Sequence, residues 1–284
     1  MKKIEIGKEF VREHLDLFRC AVCKLPAATV EGNSLVCQNG HQLDFNKQGY
    51  LYFLFKAVNG EYDREMLSSR RKLLNKGLFA PIVDEIVEEL DAKAQTILDV
   101  GCGEGTPLKY LEDLRMRKDT AIGFDISKDG IGLATQLDTN AWFCAADLRQ
   151  LPFNDQTFDT ILEIFSPSDY AEFKRVLKPG GTLIKVIPNP EYLIELRQLL
   201  YPTGNHQTYD NSAVVELFKN KFADSVEKQV RYKFALPNDL KTQMVEMTPL
   251  HWGKDAKKLT ETELINLKEI TVDVTLLIAK NNLS

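Results

Sequence analysis

The stretch Leu98-Asp99-Val100-Gly101-Cys102-Gly103-Glu104-Gly105 restricts the fold more than any other part of this 284-residue chain. An apolar run ends in three alternate glycines, so a strand leaves its sheet through a turn that a backbone without side chains takes easily and a ligand can approach closely. Thr106 stands where a dinucleotide fingerprint would place its third glycine. Alone, such a turn is compatible with a plain strand-to-helix connection. Its surroundings give it weight. ILDV (97–100), AIGFD (121–125), AWFCAAD (141–147), FDTILEI (158–164) and TLIKVIP (182–188) read as strands with helical stretches between them. That alternation predicts an α/β fold with a mainly parallel sheet covered on both faces. A helix near 211–219, a long strand near 225–236 and a last strand over 270–280 complete the pattern.

Two carboxylates fall at corresponding strand ends. Asp125 closes the second strand about twenty residues beyond the first, where a carboxylate can accept both ribose hydroxyls of a nucleoside. Asp147 closes the third, followed by Leu148, a pair suited to an adenine amino group and to packing on its ring. Open α/β sheets bind ligands at these carboxyl ends.

The first part of the chain has a different character. Cys20, Cys23, Cys37 and His41 are spaced C-x2-C-x13-C-x3-H. Two tight loops, each delivering a pair of ligands, are an economical way to surround a tetrahedral zinc ion from a short segment. An unused thiol pair or a redox C-x-x-C is the alternative, but the redox motif expects a βαβ pattern that residues 20–55 lack. Four protein ligands leave no open position, so the expected zinc is structural. Residues 49–55, GYLYFLF, read as an aromatic strand, and 63–76, DREMLSSRRKLLNK, as an amphipathic helix ending at Gly77. The cations of that helix form either a solvated face or a phosphate contact.

The formal charge of −5 argues against a nucleic-acid partner only as an average. Residues 1–80 carry 13 Lys and Arg against 9 Asp and Glu, net +4, whereas 81–284 carry 23 against 32, net −9. MKKIEIGKEF has no apolar run behind its lysines and no stretch approaches 18 apolar residues, so neither a signal peptide nor a membrane span is expected. The expected compartment is the cytoplasm, with all five cysteines reduced.

ILDVGCGEG, GFDIS, AADLRQLPFNDQTFD and LKPGGTLIKV, in that order, resemble the motifs of class I S-adenosylmethionine-dependent methyltransferases. CAVC, CQNGHQLDFNKQGY, the EM..SRRKLLNKGLFAPI segment and the late MTPLHW extend the likeness across nearly the whole chain, to the RlmA family of 23S rRNA guanine-N1 methyltransferases. The resemblance implies a Rossmann-like domain with a mainly parallel seven-stranded sheet beside a small zinc ribbon. The expected division is a zinc-binding module over 1–58, a basic helical connector over 59–80 and the methyltransferase domain over 81–284. The cofactor implied is S-adenosylmethionine, the partner 23S rRNA, and the family suggests a homodimer.

Carried over by residue, the turn from Gly101 through Gly103 and Glu104 to Gly105 and Thr106 lies under the methionine part of the cofactor, supported by Asp99. Asp125 holds the ribose, and Asp147 with Leu148 the adenine. Phe79, Leu108 and Lys109 flank the cofactor, and Tyr192 takes a position often occupied by His. Guanine N1 bears a proton at neutral pH, so a base must remove it. Glu163, Asp169 and the Ser166-Pro167-Ser168 turn, Ser166 foremost, are the catalytic candidates near the fourth strand. The Asn/Asp-Pro-Pro-aromatic signature used on exocyclic amino groups is absent, since the chain reads Ile164-Phe165-Ser166-Pro167. Arg64, Arg70, Arg71, Lys72 and Lys76 would meet RNA phosphates. Rival readings are a small-molecule methyltransferase with a zinc ribbon as scaffold and a non-catalytic zinc-ribbon RNA-binding protein. A dinucleotide oxidoreductase is disfavoured by G-x-G-x-G.

Overall fold

The computed structural model describes residues 1–56, 62–203 and 209–282. Helix α1 (Lys3–Glu13) precedes a three-stranded antiparallel ribbon, β1 (Ala27–Glu31), β2 (Ser34–Cys37) and β3 (Gln42–Asp44), in the order β1-β2-β3. The expected boundary between residues 58 and 59 lies outside the described residues. Helix α2 (Arg64–Leu74) begins where Asp63 accepts a hydrogen bond from Met66 N at 2.8 Å, and it ends just before Gly77, whose φ of +89° lets the chain turn away. Helix α3 (Ala80–Glu88) follows, with Pro81 in its first turn.

The large sheet contains β4 (Thr96–Val100), β5 (Thr120–Asp125), β6 (Trp142–Ala145), β7 (Phe158–Ile164), β8 (Leu177–Pro188), β9 (Val226–Ala235) and β10 (Glu269–Lys280). Their order is β6-β5-β4-β7-β8-β10-β9. The first five are parallel, and β10 runs antiparallel to both β8 and β9. Helices α4 (Thr106–Leu114), α5 (Lys128–Ala134), α6 (Tyr170–Val176), α7 (Ile194–Leu200) and α8 (Ser212–Lys221) join these strands, and α9 (Lys241–Glu246) and α10 (Glu261–Asn266) lie between β9 and β10. Among the described residues no helix is long and apolar enough to cross a membrane.

Period-two alternation sorts the strand side chains between two cores. Ile97, Ala121, Leu162 and Ile184 meet Leu73, Leu78, Ile82 and Ile86 from the α2–α3 side. Leu98, Val100, Ile122 and Phe124 face the other way and pack with Phe18, Phe45, Leu51 and Phe53 from the N-terminal part. The ribbon segment is therefore seated on the same core as the sheet.

The aromatic run at 49–55 forms no strand. Leu51 O accepts from Ala145 N at 3.0 Å and Phe53 N donates to Ala145 O at 2.8 Å, which leaves one isolated bridge at the sheet edge. The reason is the neighbour: β6 is only four residues long and offers no further partners. The third strand is correspondingly shorter than 141–147, while β8 begins five residues earlier than its apolar run.

Candidate functional site

A cavity of about 750 Å³ opens at the carboxyl ends of β4, β5, β6 and β7, with α2 across from them. Gly101, Gly103 and Gly105 all have positive φ, 67°, 56° and 85°, so the turn after β4 curls under the opening. At Gly101 space is decisive as well: a Cβ there would lie 2.6 Å from Ser166 Cβ on the next strand's loop. Asp125 is tied into the same turn, with Gly103 N donating to Oδ2 at 2.8 Å and Ser127 N to Oδ1 at 2.7 Å. Asp147 lines the opposite end and caps the turn 148–150 by accepting from Arg149 N at 2.9 Å. The glycine turn, Asp125 and Asp147 thus share one cavity, to which Asp99, Glu104, Leu148, Ser166 and Asp169 also contribute.

The wall is acidic. Burial, together with the nearby Asp125 carboxylate, pushes the Asp99 carboxyl up to about 7, against the pull of Arg70. Burial also raises Asp125, although the Ser127 and Gly103 amides oppose it. The exposed end differs, since the hydrogen bond from Arg149 holds Asp147 below the usual carboxylate range. Arg70 and Arg149 are the cations that line this space. Such a site favours a ligand with a cationic centre and one anionic group.

The structure separates the remaining cofactor candidates into supporting positions. Thr106, Lys109 and Phe79 line a smaller depression of about 240 Å³ on the far side of the glycine turn, and Leu108 is buried. Phe79 and Tyr192 reach the main cavity through Phe165, at ring-centroid distances of 5.4 and 5.1 Å. Burial lifts the Tyr192 phenol to about 12. Phe165 lines the cavity with a φ of +58°, a costly conformation for an aromatic residue and one that clusters at functional sites.

Helix α2 is bound to the turn by ionic contacts. Arg71 Nε donates to Glu104 Oε2 at 2.7 Å and its Nη2 to Glu104 O at 2.6 Å, while Thr106 Oγ1 donates to Glu104 Oε2 at 2.6 Å. Of the five basic residues, Arg70 therefore faces the cavity and Arg71 is turned inward, whereas Arg64, Lys72 and Lys76 are exposed.

Beneath the 164–169 loop lies a buried charge pair. Glu163 and Lys185 are direct cross-strand partners, and Lys185 Nζ donates to Glu163 Oε1. Lys185 also donates to Ser168 Oγ at 3.0 Å, and Ser168 Oγ donates to the Glu163 carboxylate at 2.8 Å. Glu163 is fully enclosed and does not line the cavity; Ser168 does. Burial raises the Glu163 carboxyl against the opposing effects of Lys185 and Ser168. Ser166 Oγ donates to Val100 O at 2.7 Å, and Asp169 accepts from Ala171 N and Glu172 N as the cap of α6. Lys185 is not among the candidates legible in the sequence, whereas Ser168 belongs to the Ser166-Pro167-Ser168 turn that is. A lysine within TLIKVIP and a glutamate within FDTILEI carry the signal, because a buried strand charge demands a partner.

At the ribbon, the ligand atoms of Cys20, Cys23, Cys37 and His41 all lie within 4.8 Å of one another. Cys20 Sγ and Cys37 Sγ stand 3.7 and 3.5 Å from His41 Nδ1, and Cys23 Sγ is 3.7 Å from Cys37 Sγ. Zn–S bonds of about 2.3 Å in a tetrahedron give sulfur separations of about 3.8 Å, so the quartet is compatible with zinc.

Residues 97–181 match a family model described as a methyltransferase domain. A Bacillus subtilis protein, YxjB, named for 23S rRNA (guanine-N(1)-)-methyltransferase activity, is 40% identical over 271 residues, covering 92% of this chain and 96% of its own. This chain belongs to the 23S rRNA (guanine-N1)-methyltransferase family. The 23S rRNA (guanine(748)-N(1))-methyltransferase of Streptomyces fradiae is 28% identical over 274 residues, with 92% and 96% coverage. A solved methyltransferase structure from Aquifex aeolicus is similar with a TM-score of 0.46 and 16% identity, over 76% of this chain and 99% of that one. Within this guanine-N1 methyltransferase family the fold is that of the class I S-adenosylmethionine-dependent enzymes, and the cavity lies where such a sheet binds its ligand.

Proposed function

We propose that this chain transfers a methyl group from S-adenosylmethionine to N1 of a guanine in a hairpin loop of 23S rRNA. The observation that carries the reading is the reach of the similarity. It spans 92% of the chain, so it reaches far beyond the methyltransferase domain at 97–181 into the N-terminal part that carries α2 and most of the ribbon. That extent disfavours a small-molecule enzyme with an incidental ribbon.

When bound, S-adenosylmethionine supplies a methyl group on a positively charged sulfur that leaves readily. Asp125 would accept the ribose hydroxyls and Asp147 the adenine amino group. The glycine turn would admit the methionyl tail beside Asp99, and Arg70, which lines the same cavity, would answer the carboxylate of that tail instead of an RNA phosphate. Positioning of donor and acceptor then supplies much of the acceleration. Ser168 Oγ takes the guanine N1 proton as its own hydroxyl proton moves to the Glu163 carboxylate. The N1–carbon bond forms, the carbon–sulfur bond breaks and its electron pair stays on sulfur.

Zinc held by Cys20, Cys23, Cys37 and His41 would fold the module at 1–58, the connector at 59–80 would present Arg64, Lys72 and Lys76 to phosphates, and 81–284 would carry the chemistry. Unpaired loop bases are the ones such a surface can reach. Incubation with methyl-labelled S-adenosylmethionine and unmodified 23S rRNA tests the reading. Label in the rRNA and a primer-extension stop one base before a loop guanine are expected. Labelled rRNA without that stop would reject N1.

A further inference from the structure

Residues 236–268, between β9 and β10, leave the sheet and fold over α2. Ser69 Oγ on α2 donates to Glu246 Oε2 at 2.7 Å, and Tyr201 Oη donates to Leu250 O at 2.5 Å. Lys257 N donates to Leu200 O at 2.8 Å, and Gly253 lies so close to Tyr201 that a Cβ there would overlap the phenol oxygen. Within the turn, Thr248 Oγ1 accepts from Leu250 N and His251 Nδ1 donates to Thr248 O at 2.6 Å. The short helical turn Pro249–Trp252 is thus fixed at several points. It nevertheless leaves Trp252 44% exposed. The indole packs on Tyr62, with ring centroids 5.7 Å apart and planes at 37°. Tyr62 is itself 39% exposed and lines the methyl-donor cavity.

We propose that Tyr62, backed by Trp252, is the stacking face for the guanine that enters this cavity from RNA. The inference rests on the guanine-N1 reading above. A base in a folded RNA must leave its stack to reach a donor at the bottom of a cavity, and an aromatic ring replaces the lost stacking. Tyr62 stands on the α2 side of the cavity, with Phe165 and Pro167 on the strand-end side. At about 750 Å³ the space approaches the upper range for one small ligand, which leaves room for a base beside the cofactor. Two large rings half in water at a cavity mouth have apolar surface that a flat heterocycle would cover. The pair carries no charge, as suits a neutral base, and exposed Arg64 follows two residues later for the flanking phosphate.

The chain has two tryptophans, and Trp142 is 5% exposed, so a change in emission on RNA binding reports on Trp252. The full chain, loaded with S-adenosylhomocysteine, is titrated with an RNA hairpin bearing a loop guanine and with the same hairpin abasic at that position. Quenching by the first and none by the second is expected, and Trp252→Phe abolishes it. Tyr62→Ala should lower kcat/KM on rRNA between about 5-fold and 150-fold, the range of a lost base–aromatic stack, while Tyr62→Phe stays near wild type. Retained S-adenosylhomocysteine affinity in each variant shows that the cavity is still folded. Guanine methylation by wild type with unmoved emission, or with Tyr62→Ala at full kcat/KM, overturns the stacking face alone. Absence of guanine transfer by wild type overturns it together with the reading beneath it.

Discussion

Replacing Lys185 by Met isolates the Glu163 carboxylate in the sheet. The Glu163 side chain is 0% exposed and that of Lys185 6%, so removal of the cation leaves a buried charge with only the Ser168 hydroxyl for company. Breaking one partner of such a pair costs about 3–5 kcal/mol, because the desolvation of the survivor is no longer offset. At about 2–4 °C per kcal/mol for a protein of this size, the melting temperature should fall by roughly 6–20 °C. Replacing both partners, Lys185→Met with Glu163→Gln, should recover most of that loss, since a neutral pair avoids the uncompensated charge. Activity should behave differently. The double variant should fold but lack the proposed proton acceptor, so its methyl transfer should stay depressed by about 100-fold or more, the contribution of general base catalysis. Thermal unfolding followed by circular dichroism, paired with single-turnover methyl transfer, reads the two effects separately. A double variant with wild-type turnover would refute the proton route, and a single variant of wild-type stability would refute the energetics of the pair.

Asp99 stands at about 7 in the folded protein against an ordinary 3.8, so between about pH 4 and 7 only the folded chain keeps its proton. Stability of the cofactor-free protein should therefore fall as pH rises from about 4 to 7 and level off above it, whereas affinity for the cationic methyl donor should rise through 7; thermal melts from pH 5 to 8 and calorimetric titrations from pH 6 to 8 should show these two trends, and Asp99→Asn should flatten both. Cys37→Ser should release zinc, measured by a chelator dye, and abolish rRNA methylation with cofactor affinity largely kept; full rRNA activity in a zinc-free variant would count against the ribbon's role. Changing Arg64, Lys72 and Lys76 to Ala should weaken rRNA binding and reduce the slope of log affinity against log salt by about 0.7–0.9 for each phosphate that is no longer neutralised. An unchanged slope would remove these residues from the interface.

The parallel sheet was legible because its strands are buried on both faces and read as short apolar runs, and Asp125 and Asp147 were legible because they close two of those runs. The grouping of Cys20, Cys23, Cys37 and His41 was legible from spacing alone. What the sequence concealed depends on interactions between distant segments. Helix α2 reads as a charged surface helix, yet Arg71 bonds to Glu104 across 33 positions and Arg70 lines the cavity. Trp252 meets Tyr62 only because 236–268 folds back over α2. The run at 49–55 has strand composition, but pairing requires a partner, and the short β6 provides just one residue's worth.

The account depends most on one cavity at the ends of β4, β5 and β6 holding the methyl donor through Asp125. Calorimetric titration of S-adenosylhomocysteine into the wild-type chain and into Asp125→Asn, a change that keeps the side chain's shape, measures this directly. One site per chain is expected in wild type, with affinity roughly 100-fold or more weaker in the variant, from two charge-assisted hydrogen bonds lost. Equal affinities in two proteins of equal thermal stability would contradict it.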